Sequence, residues 1–152
     1  TGWGINVGST INTFGKDKVL LQVVYGEGIA SYMNDGGMDL APSQTFTACD
    51  PTGLEAEAVP LTGVLAYYDH YWSERWSSSI GYSYTEVDNT NFQDPTAFQK
   101  GEYASGNLLY YPLDNLMVGG ELLWGKRTNN DDASDDDLRF QFTVKYNFGT
   151  KL

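Results

Sequence analysis

The chain has 152 residues, enough for one domain, and its formal charge of −11 excludes a basic face for nucleic acid. No stretch approaches the roughly 18 consecutive apolar residues of a membrane helix, and a lone cysteine, Cys49, excludes a disulfide framework within the chain. Aromatic residues make up 14% of the chain, a composition still open to a membrane β-barrel, whose alternating strands average out as polar.

Period-two alternation recurs along the chain. Trp3, Ile5, Val7 and Ile11 alternate with Gly4, Asn6, Gly8, Thr10 and Asn12 and predict a first strand. A polar turn over residues 15–18 leads to a second, with Val19, Leu21, Val23 and Tyr25 on one face. Its other face, Leu20 and Val24 with Gln22, is less polar, so the facing there is weakly specified. Residues 31–53, rich in Gly, Asp and Pro, read as a long irregular loop that contains Cys49. A third strand is expected over residues 55–68, with Pro60 marking a bulge or an unusual pairing position.

The fourth strand, residues 76–87, sets Trp76, Ser78, Ile80, Tyr82 and Tyr84 against Ser77, Ser79, Gly81, Ser83 and Thr85. A polar loop follows, then a fifth strand over residues 103–111. Residues 112–115, "PLDN", make a tight turn. The sixth strand, residues 116–127, carries Leu116, Val118, Leu122 and Trp124 on one face. Residues 129–137, "NNDDASDDD", read as a solvated acidic loop. In the seventh strand, residues 138–148, Leu138, Phe140, Phe142, Val144, Tyr146 and Phe148 alternate with Arg139, Gln141, Thr143, Lys145 and Asn147.

The predicted connections alternate short and long, as periplasmic turns and external loops do in outer-membrane barrels. Trp76 and Tyr84 lie eight positions apart on one face. At a rise of about 3.3 Å and a tilt near 40° they span roughly 20 Å, close to the distance between two aromatic girdles. The expected fold is an all-β antiparallel transmembrane β-barrel with about seven readable strands. Residues 1–148 form the barrel segment and residues 149–152 a short tail. Seven is an odd number and an open sheet leaves edges, so the chain reads as the C-terminal part of a larger barrel, the alternative being an eight-stranded barrel in which two strands read as one.

Three blocks carry a family resemblance: "YGEGIASYMNDGGMDLAP" (25–42), "NLLYYPLDNLMVGGELLWGKR" (107–127) and "LRFQFTVKYNF" (138–148). Together they resemble the C-terminal strands of DcaP-like outer-membrane porins. The resemblance implies a sixteen-stranded barrel in the bacterial outer membrane, assembled as a homotrimer. It also implies passive uptake of small, often anionic, organic solutes.

On this reading Phe140, Phe142, Val144, Tyr146 and Phe148 face lipid and lipopolysaccharide. Glu121, Arg127, Arg139 and Lys145 line a water-filled lumen. Arg139 or Lys145 is expected to pair with Glu121, since a buried carboxylate wants a partner. An anion pathway requires that most of the acid lie in external loops. The mechanism is selection by width and lumen charge, with no cofactor, no metal and no covalent step.

Two other classes compete. A soluble β-sandwich binding module would use exposed Tyr and Trp as stacking platforms. An outer-membrane barrel enzyme would need a nucleophile near His70 and Asp69; Ser73, Ser77 and Ser78 are available, but nothing in the pattern isolates one. The run at 129–137 has oxygen ligands for a hard cation but lacks the Gly and terminal Glu of a calcium loop.

Overall fold

The computed structural model describes residues 1–33, 36–44 and 53–149. Cys49 lies outside them. In chain order the described elements are β1 (Trp3–Asn12), β2 (Lys18–Glu27), a 3-10 turn (Ala30–Tyr32), β3 (Leu40–Gln44), β4 (Leu54–Ala58), β5 (Pro60–Tyr71), β6 (Trp76–Val87), β7 (Phe98–Leu113), β8 (Leu116–Asn129) and β9 (Ser134–Tyr146). Seven strands form one sheet in the order β1-β2-β5-β6-β7-β8-β9, and β3 and β4 form a separate hairpin. Every pairing is antiparallel. The seven predicted strands are therefore those of the sheet.

Directly opposite residues on paired strands share a face, so the register carries each face across the whole sheet. One row runs Val7, Val23, Val64, Tyr84, Glu102, Lys126, Asp136. The apolar run of β1, Trp3 to Ile11, is centred on Val7. That of β9, Leu138 to Tyr146, is centred on Phe142, six residues beyond the one in Val7's row. Six strand-to-strand steps thus shift the apolar band by six residues, one per step. With a rise of about 3.3 Å and a strand spacing of about 4.8 Å, the band is level only if the strands tilt by about 35°. That value falls at the lower end of the tilt range of transmembrane barrels.

Several boundaries differ from the sequence reading. The expected third strand breaks in two at Val59, whose N–H donates to Asp39 O (3.1 Å) while its carbonyl accepts from Gly28 N–H (3.0 Å). Pro60 is the first residue of β5, where a missing N–H costs least. The acidic segment is mostly strand: Ser134 to Asp137 belong to β9, and the connection is four residues, 130–133. Asp132 adopts φ 63, a left-handed conformation that Asp tolerates, and this allows the tight reversal. The long-loop end therefore has two long connections, 28–59 and 88–97, and one short turn.

The 28–59 connection is not simply irregular. Its Ala30, Ala41 and Val59 pack with Val24, Leu61 and Val87 into the core cluster, with Ile29, Met33 and Phe98 against it. Val24, Leu61 and Val87 stand on the same sheet face as Asn6, Ser83 and Arg127. The described parts of the connection are thus folded inward over the polar face. Asn91 ties it to the 88–97 connection, accepting from Gln44 N–H and donating to Gln44 O, both at 3.0 Å. Thr90 Oγ1 donates to Pro42 O (2.6 Å).

Candidate functional site

The polar face has a regular layout. At the long-loop end one row is Thr85, Gly101, Arg127, Asp135, and the next is Ser83, Tyr103, Gly125, Asp137. The third row contains Tyr67, Gly81, Ser105, Leu123 and Arg139. The Tyr67 ring covers Gly81, where a Cβ would collide with it, and its hydroxyl meets Ser105 Oγ at 3.2 Å. One side chain thus links three strands. Farther toward the short turns stand Asp69, Glu121 and Gln141, then Lys145 opposite Met117. Ser79 Oγ donates to Asp69 Oδ1 (2.6 Å).

All four residues singled out from sequence, Glu121, Arg127, Arg139 and Lys145, share this face. The expected pairing of Glu121 does not form. Its cross-strand neighbours are Asn107 and Gln141, and among the described residues no ion pair joins it to Arg139 or Lys145. Parity placed these groups on one face, but the register set Leu123 opposite Arg139 and Met117 opposite Lys145. Arg127 is occupied differently. Its Nε donates to Asn129 Oδ1 (2.9 Å), its Nη2 to Thr96 O (3.2 Å), and its guanidinium lies 5.9 Å from the Phe98 ring centre.

The strands place four cations on this face, Lys18, Arg127, Arg139 and Lys145, and four carboxylates, Asp69, Glu121, Asp135 and Asp137. The balance is zero. The whole −11 therefore resides in the other residues. None of these four carboxylates lies in an external loop, and sequence reasoning missed Asp69, Asp135 and Asp137 as face residues. Counted by twos upstream from Arg139, Asp137 and Asp135 fall on its face, but Asp136 and Ser134 break the apolar alternation.

The opposite face is apolar and uncovered: Ile80 is 66% exposed, Phe140 72% and Phe142 65%. Aromatic rings border it at both ends. Trp76 and Tyr110 stack at 4.5 Å near the short turns, and Tyr146 meets Phe148 edge-on at 4.6 Å. At the long-loop border, rings reach up to carboxylates. Tyr82 OH donates to Glu102 (2.7 Å), Tyr84 OH to Glu86 (2.8 Å) and Trp124 Nε1 to Asp136 (3.0 Å), while Lys100 pairs with Glu86 (3.3 Å). Rings with a polar tip suit such a boundary between apolar and wet surroundings.

His70 does not pair with Asp69. Adjacent strand residues point to opposite faces, and His70 Nδ1 lies 2.7 Å from Asp17 Oδ2 in the β1–β2 turn. Asp17 also accepts from Tyr68 OH (2.6 Å) and Tyr71 N–H (2.9 Å). The Tyr68 hydroxyl, then the Tyr71 amide and then His70, lower its pKa from 3.8 to about 2. Among the described residues no serine bonds to His70; Ser78 Oγ instead accepts from Trp72 Nε1 (2.8 Å). The cluster fastens the first short turn to β5.

A tilted antiparallel sheet with one polar, charge-bearing face and one aromatic-bordered apolar band has the architecture of a transmembrane β-barrel wall. The fold is similar to the crystal structure of the outer membrane channel DcaP of Acinetobacter baumannii, with a TM-score of 0.79 and 24% sequence identity. The match covers 97% of this chain and 41% of that one, so the chain spans about two fifths of the channel's length. No protein-family model matches the chain, and no curated protein matches it in sequence.

Proposed function

We propose that the chain forms part of the wall of a bacterial outer-membrane diffusion porin that passes small, anionic organic solutes through a water-filled lumen. The slanted apolar band carries this reading. A band that becomes level at a tilt of about 35° matches a membrane slab. A soluble sandwich would instead bury that face against a second sheet. Phe140, Phe142, Val144, Tyr146 and Phe148 then face lipid, with lipopolysaccharide beyond the Glu86, Glu102 and Asp136 border. A homotrimer is the assembly that the family resemblance suggests.

Glu121, Arg127, Arg139 and Lys145 line the lumen. Arg139 and Lys145 make no ion pair among the described residues, so their fields are available to solutes. A cation in a low-dielectric passage concentrates anions near it. The strand side chains of the lumen face balance to zero, while the 28–59 connection brings the acids Asp39, Glu55 and Glu57 to the mouth end. The described parts of the 28–59 connection, folded onto that face, narrow the mouth.

The test uses the full-length protein in planar bilayers under a salt gradient. A reversal potential on the anion side, fading at high salt, is expected. Cation preference overturns the anion reading, and absence of conductance overturns the porin.

A further inference from the structure

Between Gly37 of the 28–59 connection, Phe98 at the start of β7 and the lumen face of β6 to β9 lies a groove of about 1010 Å³. Its floor includes Gly125, where a Cβ would meet nothing closer than 3.9 Å, whereas the Phe98 ring covers Gly101. Arg127 stands at one side, with Asp135 directly opposite and Asp137 one row below. Opposite charges so placed on neighbouring strands ordinarily pair. Here they do not: among the described residues no ion pair joins Arg127 to either aspartate. Thr96 O, Asn129 and the Phe98 ring hold the guanidinium away from them. Two of its five N–H groups are used in this way, which leaves three for a ligand. The described bonds to the Asp135 and Asp137 carboxylates come from the next amides along their own strand, Asp136 N–H (3.1 Å) and Leu138 N–H (2.8 Å).

We infer that this groove is a two-pole binding site for small zwitterions, amino-carboxylates such as an amino acid or a dipeptide, at the mouth of the channel. The ligand carboxylate meets the free N–H fork of Arg127, which suits a planar anion. The ammonium meets Asp135 and Asp137. A simple anion gains the first contact but faces two carboxylates, and a simple cation gains the second but faces the arginine. Only a molecule with both charges satisfies both poles, so the site selects among the solutes that the lumen admits. The inference rests on the channel reading and deepens it.

The experiment measures current block by Ala-Ala, N-acetyl-Ala-Ala and Ala-Ala-amide on single channels of the full-length protein. Ala-Ala is expected to bind about tenfold or more tightly than either capped form, the scale of one charge-assisted hydrogen bond. Arg127→Gln should erase the difference between Ala-Ala and its amide. Asp135→Asn with Asp137→Asn should erase the difference between Ala-Ala and its acetylated form. Gly125→Val fills the floor and should abolish block by all three. The Cβ at that position meets its neighbours at 3.9 Å, an ordinary contact, and heat-modifiable gel mobility verifies that each variant is assembled. Equal block by the three peptides on a conducting channel overturns the site and leaves the channel standing. So does a loss in Arg127→Gln that is the same for all three. A protein that does not conduct overturns the channel reading and the site with it.

Discussion

Replacing Phe142 by arginine tests the orientation of the whole sheet. Phe142 is the middle residue of β9's apolar run, four positions from Leu138 and four from Tyr146. Four residues cover about 13 Å along the strand, or about 11 Å along the membrane normal at a 35° tilt. An apolar band is about 25 Å tall, so the ring sits near its midplane, where an arginine costs about 2–4 kcal/mol. That lowers the folded-to-unfolded ratio about 30- to 900-fold. Gln141→Arg, one residue away on the lumen face, should stay within about 0.5 kcal/mol. Leu138→Arg, at the band's edge, should cost about 0–1 kcal/mol. Urea titration of the full-length protein refolded into lipid vesicles, read by gel mobility, gives all three values. If Gln141→Arg costs as much as Phe142→Arg, the faces are assigned wrongly. If Leu138→Arg costs as much, the tilt and the band's level are wrong.

Arg139→Glu should move the reversal potential toward cations, and the change should shrink as the Debye length falls from about 10 Å at 0.1 M salt to about 3 Å at 1 M; an unchanged potential would remove Arg139 from the lumen. Gly81→Val would force the Tyr67 ring off the sheet and break its contact with Ser105, costing about 1–3 kcal/mol by overpacking; urea unfolding measures it, and a neutral result would mean the ring relocates freely. Asp17 has its pKa lowered from 3.8 to about 2, so its stabilisation of the β1–β2 turn is complete above 3.8 and lost as pH falls through about 2. Amide exchange over residues 13–17 should quicken across that range and lose this dependence in Asp17→Asn. Deleting residues 131–136 removes the first three residues of β9 along with most of the turn and should impair assembly, whereas alanine at Asp131 should not; full assembly of the deletion would show that β9 starts later than Ser134.

Strands and faces were legible in the sequence because side-chain direction in a strand is local. Each residue points opposite to its neighbour, so Phe140, Phe142, Val144 and Tyr146 are bound to share a face whatever lies beside them. The same rule put Glu121, Arg127, Arg139 and Lys145 together on the other face. The weak facing of β2 was also a true signal: Val24 is apolar on the polar face because the 28–59 connection covers it. Continuing the alternation past Leu138 would have placed Asp135 and Asp137 in β9, but a run of aspartates reads as a loop when propensity outweighs pattern.

Register, tilt and loop placement were decided only by the tertiary structure. Which side chains meet across two strands depends on turns and on pairings with distant residues, and a shift of two positions keeps every face while changing every partner. That is why Glu121 faces Gln141 instead of a cation, and why His70 finds Asp17, 53 residues away, instead of its neighbour Asp69. The separation of Arg127 from Asp135 is of the same kind. It depends on Thr96 at the end of the 88–97 connection and Phe98 at the start of β7, some thirty residues upstream, and no local pattern encodes their arrival.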